Sequence, residues 1–447
     1  MQERKASKKQ ILLITSLIFG LFFGAGNLIF PVQMGQMSGG HWLPAVSGFL
    51  LTGCLLPYLA MLGMALTKST SVFDIAKPVA PWFATIMLIA IHFSLGPLFA
   101  TPRTAATAFT MGISPLVPAA YQQLAMLIFS AIFFIMVYYL SIKESNLMKW
   151  VGKYLNPLFL ILLAIILLVA LILPMGGLDQ KITGAYQASA GFQGILEGYN
   201  TMDCLALLAF AVSVVYSVKN MGFSDKQVPK LLAKSGFFAI LLESIIYIAT
   251  TLLGVSSLGI MPISANGGAA LSNIINHYTG NVGILLTAVI VTLAVFTTAM
   301  GLSASFSQDL HRIFPKISYK NWLRVITIGS FITANAGLTK IIEFSTPFLM
   351  IIYPFALALT ILAVLNKWVK QDKIIYRFIM AFIAIPAFID GLLSSPWAKT
   401  DFATSIASAY QNTIPLASEG FGWVIPAIIG AIVALIFRAF LPKKATA

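Results

Sequence analysis

Residues Leu21–Pro31 read LFFGAGNLIFP, which sets Gly24, Ala25, Gly26 and Asn27 inside a long apolar run. Each glycine weakens a helix interior by about 1 kcal/mol relative to alanine. An amide in hydrocarbon costs more still unless it finds a hydrogen-bond partner. A membrane helix tolerates such residues where it is interrupted beside a cavity. The second half-helix then offers free N–H groups to an anion, and carbonyls released from the first half coordinate a cation such as Na+. Gly24-Ala25-Gly26 supplies backbone with almost no side chain in the way, and Asn27 supplies an amide that can bind an ion or pin the break. The competing explanation is close helix packing through small residues, as in GxxxG. The spacing here, GxG with an adjacent Asn, suits packing less well.

Two other stretches carry usable chemistry. Residues 205–218 form an apolar run of 14 between Asp203 and Lys219, about 21 Å of helix against a bilayer core of about 30 Å. In a five-plus-five inverted repeat this run pairs with the first, and an unusually short span in that position points to a binding site. At its centre, Phe210, Ala211 and Ser213 suit an apolar side-chain pocket with one hydroxyl. Residues 293–305 read LAVFTTAMGLSAS. The adjacent hydroxyls of Thr297 and Thr298, joined by carbonyls from a broken helix, would make a hard oxygen site for a small cation. Taken alone, they are equally explained by hydroxyls bonding back to the carbonyl four residues earlier.

Intramembrane charges are few: Glu243 lies within a run, and Arg103 and Asp390 sit near run ends. An embedded carboxylate is a functional candidate by default, so Glu243 either carries a coupled proton or pairs with an inner lysine. His92 reads as a helix-packing histidine, and His41, His277 and His311 have no metal-ligand spacing. There is no GxxxxGK[ST], so no ATPase is expected within the chain. The GxG lacks both a third glycine and a preceding strand, which excludes a dinucleotide site.

The elements that must position these residues are membrane helices. Of 447 residues 59% are hydrophobic and 9% charged, against about 25% charged in soluble domains. Apolar runs recur at 11–34, 43–66, 79–100, 124–140, 157–173, 205–218, 235–258, 282–304, 322–336, 344–365, 374–393 and 423–440, predicting twelve spans. The first has no A-x-A-like cleavage site and reads as a retained span rather than a signal peptide. With the N-terminus inside, all Lys and Arg but Arg103, Lys181, Lys340 and Lys399 fall on the cytoplasmic side. Both termini are therefore expected in the cytoplasm, and the net charge of +14 faces anionic lipid rather than nucleic acid. Cys54 and Cys204 lie in or beside apolar segments, so no disulfide framework is expected. Segments 175–203, 264–283 and 394–420 read as external connections or lids, the middle one with a short helix from Ala269 to Tyr278.

LFFGAGNLIFP, GPLFATPRTAATAF (Gly96–Phe109) and GYNTMDCLALLAFAVSVV (Gly198–Val215) together resemble the branched-chain amino acid:cation symporters of the BrnQ type over the whole chain. The resemblance implies an all-α polytopic membrane protein with the leucine-transporter (LeuT-like) fold. That fold would comprise one transporter domain with a first repeat at about 10–175, a second at about 198–368 and extra helices at about 372–441, the first and sixth helices being broken. It implies import of leucine, isoleucine or valine by alternating access, driven by Na+ with H+ as the alternative ion, with no organic cofactor and no ATPase subunit. Gly24, Ala25 and Gly26 would hold the substrate carboxylate with Asn27 in support, and Phe210, Ala211 and Ser213 would shape the pocket. Carbonyls of Gly20, Phe23 and Ala294 would join the hydroxyls of Thr297 and Thr298 around Na+. One departure is Thr110, where related sequences often carry an acidic residue, which leaves the ion and its stoichiometry open. The alternatives are a carrier of this fold for another small neutral amino acid and a non-transporting sensor. A channel filter or the clustered polar residues of a membrane-embedded enzyme are not visible in the sequence.

Overall fold

The computed structural model describes residues 6–143 and 148–440; Arg4, Lys5, Lys443 and Lys444 of the inner charge lie outside them. The described residues fold as helices and connecting turns with no strand. Among the described residues, nine helical segments are long and apolar enough to cross a bilayer. The first apolar run is split, and the runs at 322–336 and 423–440 become helices of 16 and 17 residues, shorter than the span length set by a bilayer core of about 30 Å. These are the runs that separate nine from the expected twelve.

Eight helices build the site: α1 (Lys8–Phe22), α2 (Ala25–Ser38), α3 (Ala100–Ala108), α4 (Tyr186–Thr201), α5 (Asp203–Asn220), α6 (Val228–Ser257), α7 (Gly283–Ile313) and α8 (Leu338–Val364). A capping box starts α1, in which Gln10 N donates to Ser7 Oγ (3.2 Å) and Ser7 N donates to Gln10 Oε1 (3.0 Å). Met202, left-handed at φ 65°, is the single residue between α4 and α5. The sixth apolar run is accordingly not a short helix. α5 has 18 residues, and Asp203 is buried in its first turn instead of marking a bilayer edge. The supposed external connection before it is largely α4.

Two other segments expected to be external also hold helix. Gly267–Thr279 is capped by Asn266, whose Oδ1 accepts from Ala269 N at 2.9 Å, and Asp401–Thr413 lies within 394–420. The former packs on α2: a Cβ added at Gly267 would stand 1.9 Å from the Ile29 carbonyl oxygen.

The main apolar cluster carries α2 and α6 in backbone contact, and a smaller one gathers around Leu88, Phe306 and Leu323. A Cβ at Gly35 would fall 2.2 Å from the Thr251 carbonyl oxygen, and one at Gly254 the same distance from that of Val32. Hydrocarbon gives helices no hydrophobic drive to associate, so close approach through small residues is what holds them. Gly254→Ala should therefore cost roughly 1–3 kcal/mol of overpacking, read as a lower unfolding temperature of the purified protein. Gly177→Ala, where nothing lies within 4 Å, should leave it unchanged; equal behaviour of the two variants would contradict this packing account.

Candidate functional site

The chain between α1 and α2 is extended at Phe23 (φ −71°, ψ 98°) and Gly24 (φ −126°, ψ −153°). Ala25 and Gly26 already belong to the first turn of α2, so the interruption lies at the start of the glycine motif and not across it. Gly24 is required by its surroundings: an added Cβ would meet Thr298 Oγ1 at 2.9 Å. The first turn of α2 begins with N–H groups that have no partner inside the helix. One of the amides at this end is satisfied from within the motif, since Gly24 N donates to Asn27 Oδ1 at 2.8 Å.

That bond fixes the Asn27 amide so that its nitrogen faces a buried polar hub. Asn27 Nδ2 stands 2.9 Å from both Asp203 oxygens and 2.9 Å from Glu243 Oε1, and it also contacts the Tyr247 hydroxyl. Tyr247 Oη lies 2.7 Å from Asp203 Oδ2 and 2.8 Å from Glu243 Oε1. All four side chains are at most 1% exposed. The hub thus ties α2 to α5 and α6 in a medium where hydrogen bonds are strong and unpaired polar groups costly. Glu243 is bonded to Asn27 and Tyr247 here, and no inner lysine is its partner among the described contacts.

On the other side of the interruption, Thr298 Oγ1 donates to the Phe23 carbonyl at 3.1 Å and lies 3.5 Å from that of Ala294, to which Thr297 Oγ1 donates at 2.7 Å. Phe23, Ala294, Thr297 and Thr298 therefore meet where α1 ends against α7. Gly20 lies one turn earlier on α1, against Val151 and Asn156.

Between these two sets lies a cavity of about 20 Å³, lined in part by Phe22, Gly24, Gly26, Met202, Ala206 and Thr298. Arg103 reaches its wall from α3 and is 4% exposed. Its guanidinium donates to the Asn200 carbonyl at 3.1 Å and sits 5.5 Å from the centre of the Phe30 ring. One terminal nitrogen would be 3.2 Å from a Cβ at Gly26. A buried guanidinium beside a helix N-terminus makes this wall electropositive and suited to a carboxylate.

The residues expected from the sixth run lie elsewhere. Phe210 is buried one turn beyond Ala206, where its ring would touch a Cβ at Gly301, and Ala211 is half-buried beside it. Ser213 Oγ is engaged with Ser305 (2.8 Å) and Gln308 (2.6 Å) on α7. The chain turns at Met202 and not at the centre of the run, so Thr201, Met202 and Ala206 face the cavity instead. Thr110 is half-buried in the turn Phe109–Ile113, and Asp390 is buried in the helix Lys373–Leu393. His92 Nε2 stands 2.9 Å from Asp309 Oδ2, joining the helix Pro81–Phe93 to α7. Sequence reasoning missed Asp203 and Tyr247 altogether. The signal for Asp203 was a carboxylate against an apolar run; a tyrosine at the position of Tyr247 gave none.

The profile of the family described as "Branched-chain amino acid transport protein" matches residues 7–441. The chain is 35% identical to the branched-chain amino acid permease BrnQ of Lactobacillus delbrueckii subsp. lactis, over 99% of each chain. It is 36% identical to the permease BraB of Bacillus subtilis, over 98% of this chain and 97% of that one. Among solved structures, its fold is similar to Mhp1, a nucleobase-cation-symport-1 family transporter in a closed conformation, with a TM-score of 0.60, 14% identity and coverage of 97% and 94%. It is also similar to MhsT in complex with L-phenylalanine, with a TM-score of 0.53, 16% identity and coverage of 98% and 99%.

Removing the shared donor tests the hub. Asn27→Leu leaves two buried acidic side chains without their common amide, and leaving a buried polar group unsatisfied costs about 1–3 kcal/mol. The variant should unfold at a markedly lower temperature in detergent; an unchanged melting curve would contradict the hub's structural role.

Proposed function

The chain belongs to the family of branched-chain amino acid transport proteins, and we propose that it carries leucine, isoleucine and valine across the cell membrane in symport with Na+. Its relatives are permeases and carriers, and the chain is a transporter, not an enzyme. In this reading ten of twelve spans form two inverted five-helix repeats, two further helices follow at the C-terminal end, and both termini lie in the cytoplasm. The Phe23–Gly24 and Met202 interruptions are then the breaks of the first and sixth spans.

The observation that carries the reading is the convergence of the α2 N-terminus and Arg103 on one small cavity. A substrate with a bare hydrocarbon side chain offers only its zwitterionic backbone for polar recognition. At the Gly24 break its carboxylate would be received by the N–H groups of Ala25 and Gly26 and by the Arg103 guanidinium, the Gly24 N–H being held by Asn27. Phe22, Met202, Ala206 and Leu302 would supply the apolar wall, with Phe210 behind it. One methylene is worth about 1–3 kcal/mol in such a pocket, so discrimination among the three substrates should be weak.

Na+ would sit where α1 ends on α7, held by the carbonyls of Gly20, Phe23 and Ala294 and by Thr297 and Thr298. The hydroxyls there are satisfied by carbonyls, and a cation would take over those oxygens as the hydroxyls turn. The cavity, at about 20 Å³, has room for about one water. Admitting leucine therefore requires α1 and α5 to draw apart from α3 and α7, which is the motion alternating access supplies.

The test is radiolabelled leucine uptake into proteoliposomes under an imposed Na+ gradient. Uptake should exceed the passive level only with Na+ and be competed by isoleucine and valine. Thr298→Val should raise the Na+ concentration for half-maximal uptake roughly tenfold, about 1.4 kcal/mol. An unchanged Na+ dependence would remove Thr298 from the ion site, and no uptake of any aliphatic amino acid would overturn the substrate assignment.

A further inference from the structure

The hub does not have enough hydrogens for its contacts. Asn27 Nδ2 carries two, and four oxygens crowd around it: both of Asp203, Glu243 Oε1 and Tyr247 Oη. Tyr247 carries one, yet its oxygen lies 2.7 Å from Asp203 Oδ2 and 2.8 Å from Glu243 Oε1. Whichever of these contacts the phenolic hydrogen serves, the other joins two oxygens at the separation of an O–H···O bond, about 2.7–2.8 Å. A hydrogen must lie there too, and the only group able to bring it is a carboxyl.

A second feature says which carboxyl. Glu243 Oε2 is fully buried with no partner, whereas both Asp203 oxygens accept bonds. A lone buried oxygen costs far less as the carbonyl of a neutral acid than as part of a carboxylate. The groups that act on the pair from other elements are Arg103 on α3, Cys54 from the segment Leu51–Leu55 and Tyr353 on α8, with Cys204 beside Asp203 on α5. Arg103 acts electrostatically on Asp203, and among the described residues no cation acts on Glu243. The rings of Phe23 and Phe49 close the remaining sides of Tyr247.

We propose that Glu243 holds one proton against Tyr247 and Asp203 in this closed conformation, and that this proton crosses the membrane with the substrate from a site separate from Thr297 and Thr298. The inference rests on the transport reading above. Opening the cavity toward the cytoplasm separates α2 from α5, breaks the Asn27 and Tyr247 bridges and lets water reach Glu243, which then releases its proton inward. Neutralising the pair is the condition for closing the hub again.

Leucine entry and lumenal pH measured in the same proteoliposomes decide the matter, with equal Na+ on both sides, trapped pyranine and the voltage clamped by K+ and valinomycin. The wild type should move about one proton inward per leucine, and Glu243→Gln should move leucine with a ratio near zero. A wild-type ratio near zero, or a ratio near one in Glu243→Gln, overturns the proposal while leaving leucine transport standing. Wild-type vesicles that admit no leucine overturn the transport reading, and the proposal falls with it. The infrared spectrum of the wild type at neutral pH needs no variant: a protonated-carboxyl C=O band is expected, and its absence overturns the assignment even where Glu243→Gln fails to insert.

Discussion

A single amide, that of Asn27, holds together the parts that have to move. Its oxygen accepts from the N–H of Gly24 and so fixes the chain where α1 gives way to α2. Its nitrogen meets Asp203 at the start of α5 and Glu243 on α6. Because all of this is buried, the side chain cannot exchange its partners for water without the helices separating. The interruption at Phe23–Gly24 is thus a constrained joint, whose shape depends on α5 and α6 as much as on its own glycines.

The joint has two faces, the two sides of one peptide unit. The Phe23 carbonyl points to Thr298 on α7, while the Gly24 N–H points to Asn27 and the hub. Any group that competes for the Phe23 carbonyl pulls on the same peptide unit whose N–H anchors the hub. In the proposed mechanism, coupling between an ion at α7, a substrate in the cavity and a proton on Glu243 would need no long pathway, only a short piece of backbone with two settings. Gly24 admits Thr298 to within contact of that backbone, which a β-carbon would prevent. Close backbone packing of α2 on α6 at Gly35 and Gly254 keeps two of the hub's three carriers in register.

How much of this could be read from the residues depended on how unusual each was in hydrocarbon. Gly24, Gly26 and Asn27 stood out because glycine and an amide are costly inside an apolar run. Thr297 and Thr298 were ambiguous, since a hydroxyl in a membrane helix bonds its own backbone equally well, and only the meeting with Phe23 distinguishes them. Asp203 was misread as the edge of a span, because hydropathy stops at a charge whether or not that charge is buried. The error displaced the expected pocket toward Phe210, Ala211 and Ser213, whereas the left-handed residue is Met202. Tyr247 was silent, as tyrosine belongs in membrane helices for many reasons. Helix number was blurred where runs became helices of 15 to 17 residues.

The most direct test of the account is a cryo-electron microscopy map of the protein in nanodiscs with leucine and Na+. Leucine should lie between the α2 N-terminus and Arg103, its carboxylate within hydrogen-bond distance of both and its side chain toward Met202 and Ala206. Leucine seated elsewhere, with the Phe23–Gly24 joint still closed around Asn27, would contradict the claim that the interruption is the substrate site.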